Sequence, residues 1–390
     1  MDFALTPEQT ALIATVRRFI AAELQPLEAE VEATGRLAPE HARRIFEKSR
    51  ALGLYATNIP VEHGGGGLSA VDTMLLEEQF GRTTDILVRR AFGNVYEVLL
   101  ECDAAQRPVW LLPCVRGERT CSIAITEPEA GSDAAGIRTR ARRDGAGWVL
   151  DGGKHFISDG HYSDFFVVSA VTDPDSSPRG ISLFLVDRDL PGVAVGPDQP
   201  MMGLRGTTHA ALHFDGVRLG PERLLGREGR GLQMALSVLG RVRLAQVCAR
   251  AVGKAARVLD LMLAHAAERK QFGQPLGQFQ MVQQMIADSV IEVNAARLMV
   301  LRAAWALDRG HDARAWISMV KVQAAEMLGH VADRAVQVFG GSGFAKDGPV
   351  ERYYRDARIY RIFDGASEIH RLVVARAALK QGGELYDVGA

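Results

Sequence analysis

Cys121-Ser122-Ile123-Ala124-Ile125-Thr126, running on into Glu127-Pro128-Glu129-Ala130-Gly131-Ser132-Asp133, is where the chain changes its period. Up to this point apolar residues recur at helical spacing. From Cys121 they come in short β-rich runs: WVL (148–150), KHFIS (154–158), FFVVSA (165–170), ISLFLV (181–186), VAV (193–195) and ALHFDGV (211–217). Clusters of Gly, Asp and Pro punctuate them, as turns between strands do. Many short strands at close spacing suggest a small barrel or sandwich from 121 to about 220.

Upstream, Thr6-Pro7-Glu8-Gln9 is a helix start, with Thr as cap, Pro at the first helical position and Gln three residues after the cap. Leu12, Ile13, Val16, Phe19 and Ile20 then follow at helical spacing. Further helices are expected over 38–52, 69–82, 87–101 and 103–115. Gly64 to Gly67 lie between two of them. No P-loop Lys-Ser/Thr follows these glycines, so they predict a flexible connection and not a phosphate cradle. Downstream, helical periodicity returns over 232–267, 279–308, 312–338 and 349–380, with breaks at FGQPLGQ, DRGHD and GGSGFAKDG. Four long helices with short links argue an antiparallel bundle. The fold class is mainly α with a central β domain: helices over 1–120, β structure over 121–222 and a four-helix bundle over 223–390.

The chain has 390 residues, of which 47% are hydrophobic and 24% charged, with a net charge of −1. These values describe an ordinary globular protein of two or three packed units. Near-neutrality argues against a nucleic-acid or acidic-membrane surface as the main partner. Cys102, Cys114, Cys121 and Cys248 form no C-x-x-C pair and sit near no zinc-spaced His cluster, so no metal is expected. No uncharged apolar run reaches about 18 residues, and MDFALTPEQ has no apolar leader core, so a cytoplasmic address is expected.

Six strings resemble the acyl-CoA dehydrogenase family, in the family's order: AITEPEAGSD (124–133), KHFISDG (154–160), GLRGTTHAALHFDGVRLG (203–220), ERKQFGQPLGQFQ (268–280), QVFGGSGF (337–344) and RYYRDARIYRIFDGASEIHRLVVAR (352–376). The resemblance implies an N-terminal helical domain, a small β-barrel and a C-terminal four-helix bundle. It also implies FAD as cofactor, an acyl-CoA substrate, an electron-transferring flavoprotein as electron acceptor and a homo-oligomer, commonly a tetramer. In such enzymes a carboxylate takes the α-proton of the thioester and the β-hydride goes to N5 of FAD.

Carried over by position, the flavin ring would meet Ile123, Ile125, Thr126, Gly131 and Ser132, with Phe156, Ile157 and Ser158 behind it. Donors aimed at the pyrimidine edge act where charge develops. Phe156 stands where Trp is commoner, and Asp159 where Asn is usual. Arg269 would meet the pyrophosphate, coming in the family from a neighbouring subunit, and Phe272 and Gln280 match positions near the adenosine half. Gln337, Val338, Gly340 and Gly341 would let the backbone approach the adenosine. GGSG is preceded by a helix and not a strand, which rules out a Rossmann site.

The family's usual catalytic Glu is Asp364 here, in Phe363-Asp364-Gly365-Ala366. Val242 occupies the alternative Glu position used in another branch. Asp364 is therefore the expected base, with a helix N-cap as its other role. Asp is shorter than Glu by one C–C bond, about 1.5 Å, and a displacement of about 1 Å can cost a hundredfold in rate. Ser132, Arg243, Phe363 and Gly365 are the expected substrate contacts, with Gly365 and Ala366 leaving room beside the α-carbon. Ala366 and Glu368, where relatives carry Thr and Gln, lie near the expected FAD phosphates. Arg89 and Arg90 are adjacent on a helix and cannot share one face, so surface placement is expected. Three readings stay open: acyl-CoA dehydrogenation, a dehydrogenase or reductase acting on a carrier-protein thioester, and an FAD-binding member without dehydrogenase activity.

Overall fold

The computed structural model describes residues 4–93, 95–176 and 180–386. Helix α1 (Pro7–Phe19) begins with the expected capping box: Thr6 accepts from Gln9 N, and the Gln9 side chain accepts from Thr6 N. Helices α2 (Pro39–Ala51), α3 (Ala70–Phe80) and α4 (Asp85–Phe92) follow. The single helix expected over 87–101 does not form. It stops at Phe92 because Gly93 sits at φ +65 with no room for a Cβ against the Tyr55 ring, and the chain resumes as a 3-10 turn at Glu97–Glu101. The glycine run is also not slack. A Cβ at Gly65 would collide with the Ile59 carbonyl, and four consecutive backbone N–H groups, Gly65 to Leu68, bond back to residues 56–60. These glycines serve close packing.

Eight strands form one sheet in the order β6-β7-β3-β2-β4-β5-β8, with β1 beside β4. They are β1 (Cys121–Ala124), β2 (Arg140–Asp144), β3 (Gly147–Ser158), β4 (Phe165–Asp173), β5 (Gly180–Asp187), β6 (Val193–Asp198), β7 (His209–Leu219) and β8 (Leu224–Leu225). Alternation sorts β4 onto two cores: Phe166, Val168 and Ala170 face the sheet's own interior, while Phe165 and Val167 pack against N-terminal helical residues. Strand β3 pairs with β7 through a register shift between Lys154 and Ile157, and Phe156 sits in that shift at φ +57. A bulge at this point re-aims side chains.

The bundle comprises α5 (Gly231–Val242), α6 (Arg250–Glu268), α7 (Gln280–Asp308), α8 (Arg314–Phe339), α9 (Val350–Ile359) and α10 (Ser367–Gln381). Two expected helices are interrupted. Between α5 and α6 the backbone runs as a π-helix, Arg243–Ala249, and residues 360–366 separate α9 from α10. Buried ion pairs fix the bundle to the N-terminal helices: Arg250–Glu77 at 2.5 Å, Lys254–Asp85 at 2.8 Å and Arg352–Glu28 at 2.7 Å. Such pairs stay unbroken because a lone buried charge is costly, so they set the docking register.

Candidate active site

The 360–366 segment is held by its backbone. Lys321, fully buried on α8, donates to Tyr360 O at 2.6 Å. Arg243 Nε donates to Asp364 O at 2.5 Å, and His370 Nε2 lies 3.1 Å from the same oxygen. His370 Nδ1 is 3.1 Å from Ser318 Oγ. A carbonyl can only accept, so Nε2 carries the proton and Nδ1 accepts from the serine. Burial pushes the His370 pKa down to about 4, so the ring is neutral. Lys321 is also lowered by burial, to about 8.

These donors maintain Asp364 in a left-handed conformation, φ +52, next to Gly365 at φ +93. A non-glycine residue there stores strain, which is typical of functional loops. Among the described residues, nothing accepts from the Asp364 N–H and nothing donates to its carboxylate. The cap role falls away, because Ala366 occupies the N-cap of α10. Gly365 does not leave room for substrate on its Cβ side, where the imidazole already stands 2.7 Å from a Cβ position. Phe363 packs edge-on to Tyr360, with ring centroids 5.1 Å apart. Arg243, expected as a substrate contact, tethers the loop through its bond to Asp364 O.

On the strand side, Lys154 is fully buried under the 125–127 segment. It donates to Ile125 O at 3.0 Å, Glu127 Oε1 at 2.7 Å and Ser169 Oγ at 3.1 Å. Glu127 also accepts from Arg138 N at 2.6 Å and Thr139 N at 3.0 Å. Burial alone would raise the Glu127 pKa, but the Lys154 ammonium holds it below the usual range. Burial lowers Lys154 itself to about 8. His155 N donates to Thr126 O at 2.8 Å, and Ser122 Oγ to Ser158 O at 2.6 Å, so 123–126 lie alongside 155–158. Ile123, Ile125, Thr126 and Ser158 are half-buried, Gly131 and Ser132 exposed, and the Ile157 side chain is in the sheet's core.

The remaining positions sit at helix ends. Arg269 caps α6, and Phe272 (φ +50) and Gly273 (φ +83) form the two-residue turn between Lys270–Gln271 and Gln274–Pro275. Gln280 opens α7. Gln337 is exposed near the end of α8, Val338 is buried in the bundle, and Gly340 and Gly341 have open space where a Cβ would be. His265 and Phe339 stack at 4.0 Å, which joins the Arg269 and Gly340 regions. Ala366 is half-buried, and Glu368 is exposed in the first turn of α10.

Arg89 and Arg90 are not surface residues. Arg89 Nη1 donates to Asp159 Oδ2 at 2.8 Å and Arg90 Nη2 to Oδ1 at 3.2 Å, and the Arg90 guanidinium covers the Tyr162 ring at 3.7 Å. Two neighbours on one helix converge because their long side chains swing to a single carboxylate at the turn after β3. Sequence reading missed this cluster, although Asp159 had already stood out as a departure. It also missed Glu127, Lys154 and His370, each of which lies inside a string quoted for other residues. Among the described residues no group of three or more His, Cys, Asp or Glu is placed to hold a metal ion, and no helix is long and apolar enough to cross a membrane.

Models of three domains match the chain: acyl-CoA dehydrogenase N-terminal domain over 6–118, middle domain over 122–217 and C-terminal domain over 229–379. A probable acyl-CoA dehydrogenase of Mycobacterium tuberculosis is 38% identical over 384 residues, covering 97% of each chain. The solved butyryl-CoA dehydrogenase of Megasphaera elsdenii aligns with a TM-score of 0.89 at 30% identity, over 97% of this chain and 100% of that one. A chain in the structure described as the electron transferring flavoprotein of Acidaminococcus fermentans aligns with a TM-score of 0.90 at 31% identity, over 97% and 100%. The chain belongs to the acyl-CoA dehydrogenase family and is an FAD-dependent oxidoreductase of that family. Its own surface suits a large flat cofactor. Phe156 is 48% exposed at the strand bulge, Phe272 is 94% exposed, and Gly131, Gly340 and Gly341 present open backbone edges.

Proposed function

We propose that this enzyme oxidises an acyl-CoA at its α and β carbons, with Asp364 as the base. The supporting observation is the pair of unused groups on one residue: the Asp364 N–H and the Asp364 carboxylate, both without a described partner, on a loop pinned by buried Lys321 and His370 and half-buried Arg243. The N–H is free to donate to the thioester carbonyl, which stabilises the enolate-like charge that builds there. The carboxylate is then beside the α-carbon, whose proton it takes. Bound FAD supplies the acceptor for the β-hydride. Thr126 and Ser132, with the backbone of 123–126 and 156–158, are the strand-side contacts of the flavin. Arg269, Phe272, Gln280 and the 337–341 backbone hold its adenosine half.

The same reading makes the protein an oligomer. Ile291, Leu298 and Trp305 recur every seventh residue on α7 and are exposed, an apolar stripe suited to a second copy. It divides the chain into 1–120, 121–222 and 223–390, and passes the electrons to an electron-transferring flavoprotein. Anaerobic mixing with an acyl-CoA panel tests the base. The parent bleaches its flavin band, and Asp364→Asn does so about 10²–10⁴-fold more slowly at equal flavin content. An Asn variant as fast as the parent removes Asp364 from the mechanism.

A further inference from the structure

Arg89 and Arg90 bring two guanidiniums to one carboxylate, and the fold sets them beside the proposed base. Helix α4 starts at Asp85, which is paired with buried Lys254 at 2.8 Å. Tyr360, the first residue of the 360–366 loop, is fully buried, and its phenol lies in the field of both Asp85 and Lys254. Arg89 is one turn further along the same face of α4. It bonds Asp159, the residue that follows Ser158 at the end of β3. This face of α4 therefore runs from the loop that carries Asp364 to the strand proposed to lie behind the flavin. Tyr96 is a neighbour of both ends: burial pushes its phenol up to about 12, and the charges of Arg89, Asp159 and Asp364 all act on it. An acyl chain with its α-carbon at Asp364 and its β-carbon at the flavin has this face beside it.

The cluster is short of negative charge. Arg89 and Arg90 share the single carboxylate of Asp159. Asp85 is matched by Lys254, and Asp198, which accepts from His209 N at 2.7 Å, is exposed. Burial and Arg89 push the His209 pKa down, so its ring adds no charge at neutral pH. Two cations and one anion remain, on side chains only 16–18% exposed, where solvent screens the surplus poorly. Arg89 Nε and Thr208 Oγ1 are buried with no partner among the described residues, and Thr208 O accepts from Asp159 N at 2.9 Å. An unpaired buried donor is costly, more so on a charged group. A second carboxylate would supply both the missing acceptor and the missing charge, in the geometry a guanidinium fork matches. A methyl-ended chain supplies neither.

We propose that the enzyme takes acyl-CoAs whose acyl chain ends in a second carboxylate, held by Arg89 with Arg90. This rests on the acyl-CoA reading above. The test compares CoA thioethers over a ladder of chain lengths, each length ending either in a carboxylate or in a methyl group. They cannot be dehydrogenated, so calorimetry of the FAD-loaded enzyme reads the tail alone. At the length that reaches the arginines, the carboxylate should bind about ten- to a hundredfold more tightly. Arg89→Met should abolish that advantage, and Asp159→Asn, which removes the competing anion, should widen it. Arg90→Met reads the same loss if Arg89→Met does not fold. Equal or tighter binding of the methyl-ended tail at every length overturns the proposal. So does a carboxylate advantage that both arginine variants keep. Thioesters that bind with this preference but never bleach the flavin would instead overturn the dehydrogenation reading and leave the carboxylate subsite standing.

Discussion

On the strand side, Glu127 and Lys154 meet carboxylate to ammonium at 2.7 Å in a buried setting, beneath the 125–127 backbone proposed to face the flavin. On the bundle side, Lys321, Arg243 and His370 reach backbone carbonyls, and no described residue donates to the Asp364 carboxylate. Both regions need precise placement. They differ in what the placed group has to do. A cofactor platform has only to stay still, so charge can be paired with charge. A base has to accept a proton, and a direct ion pair would stabilise its charged form and oppose that. Tethering Asp364, the proposed base, through its own carbonyl fixes position and leaves the carboxylate free.

The comparison can be broken first on the strand side, where the largest effect is expected. Lys154→Met leaves Glu127 buried without its counter-ion, at a cost of about 3–5 kcal/mol. The variant should melt well below the parent and purify with little FAD, which differential scanning and flavin absorbance would show. A yellow variant of unchanged melting point would mean that the pair is not what holds the platform. Next comes the tether. His370→Ala removes one donor to Asp364 O and lets the loop drift, which should lower kcat by about a hundredfold with KM and flavin content little changed. A loss seen in KM alone would place His370 in binding instead of in positioning the base.

The smallest effect is on pH. His370 has its folded pKa near 4, below the unfolded value near 6.5, so on acidification the unfolded chain takes up the proton first. Stability is therefore intact above pH 6.5 and declines as pH falls towards 4, by about 2 kcal/mol at pH 5 from this residue. Denaturant midpoints at pH 7 and pH 5 should draw closer together in His370→Gln. If the two proteins lose stability in parallel, the ring is not kept neutral by its burial.

The switch of period at Cys121 located the β domain because alternation and helical spacing are local signals. The same locality explains the failures. One helix was expected over 87–101, and the break at Gly93 depends on the Tyr55 ring, which is distant in sequence. A continuous pattern over 232–267 hides a π-helical turn, since a single extra residue per turn barely disturbs the spacing of apolar side chains. Arg89 and Arg90 pointed to the surface by helix geometry alone, and only the turn carrying Asp159 shows why both are half-enclosed.

The residues themselves carried the three-part order, the family and the cofactor, and they singled out Asp364 as the candidate base, because each of these is written in contiguous strings. Tertiary structure decided how the residue carrying that carboxylate is held. Lys321 and Arg243 reach the loop from other helices, Ser318 orients His370 behind it, and Asn58, Glu97 and Arg241 meet from separate segments of the chain. A side chain's neighbours across a fold depend on how whole elements pack, and no short stretch of sequence contains that information.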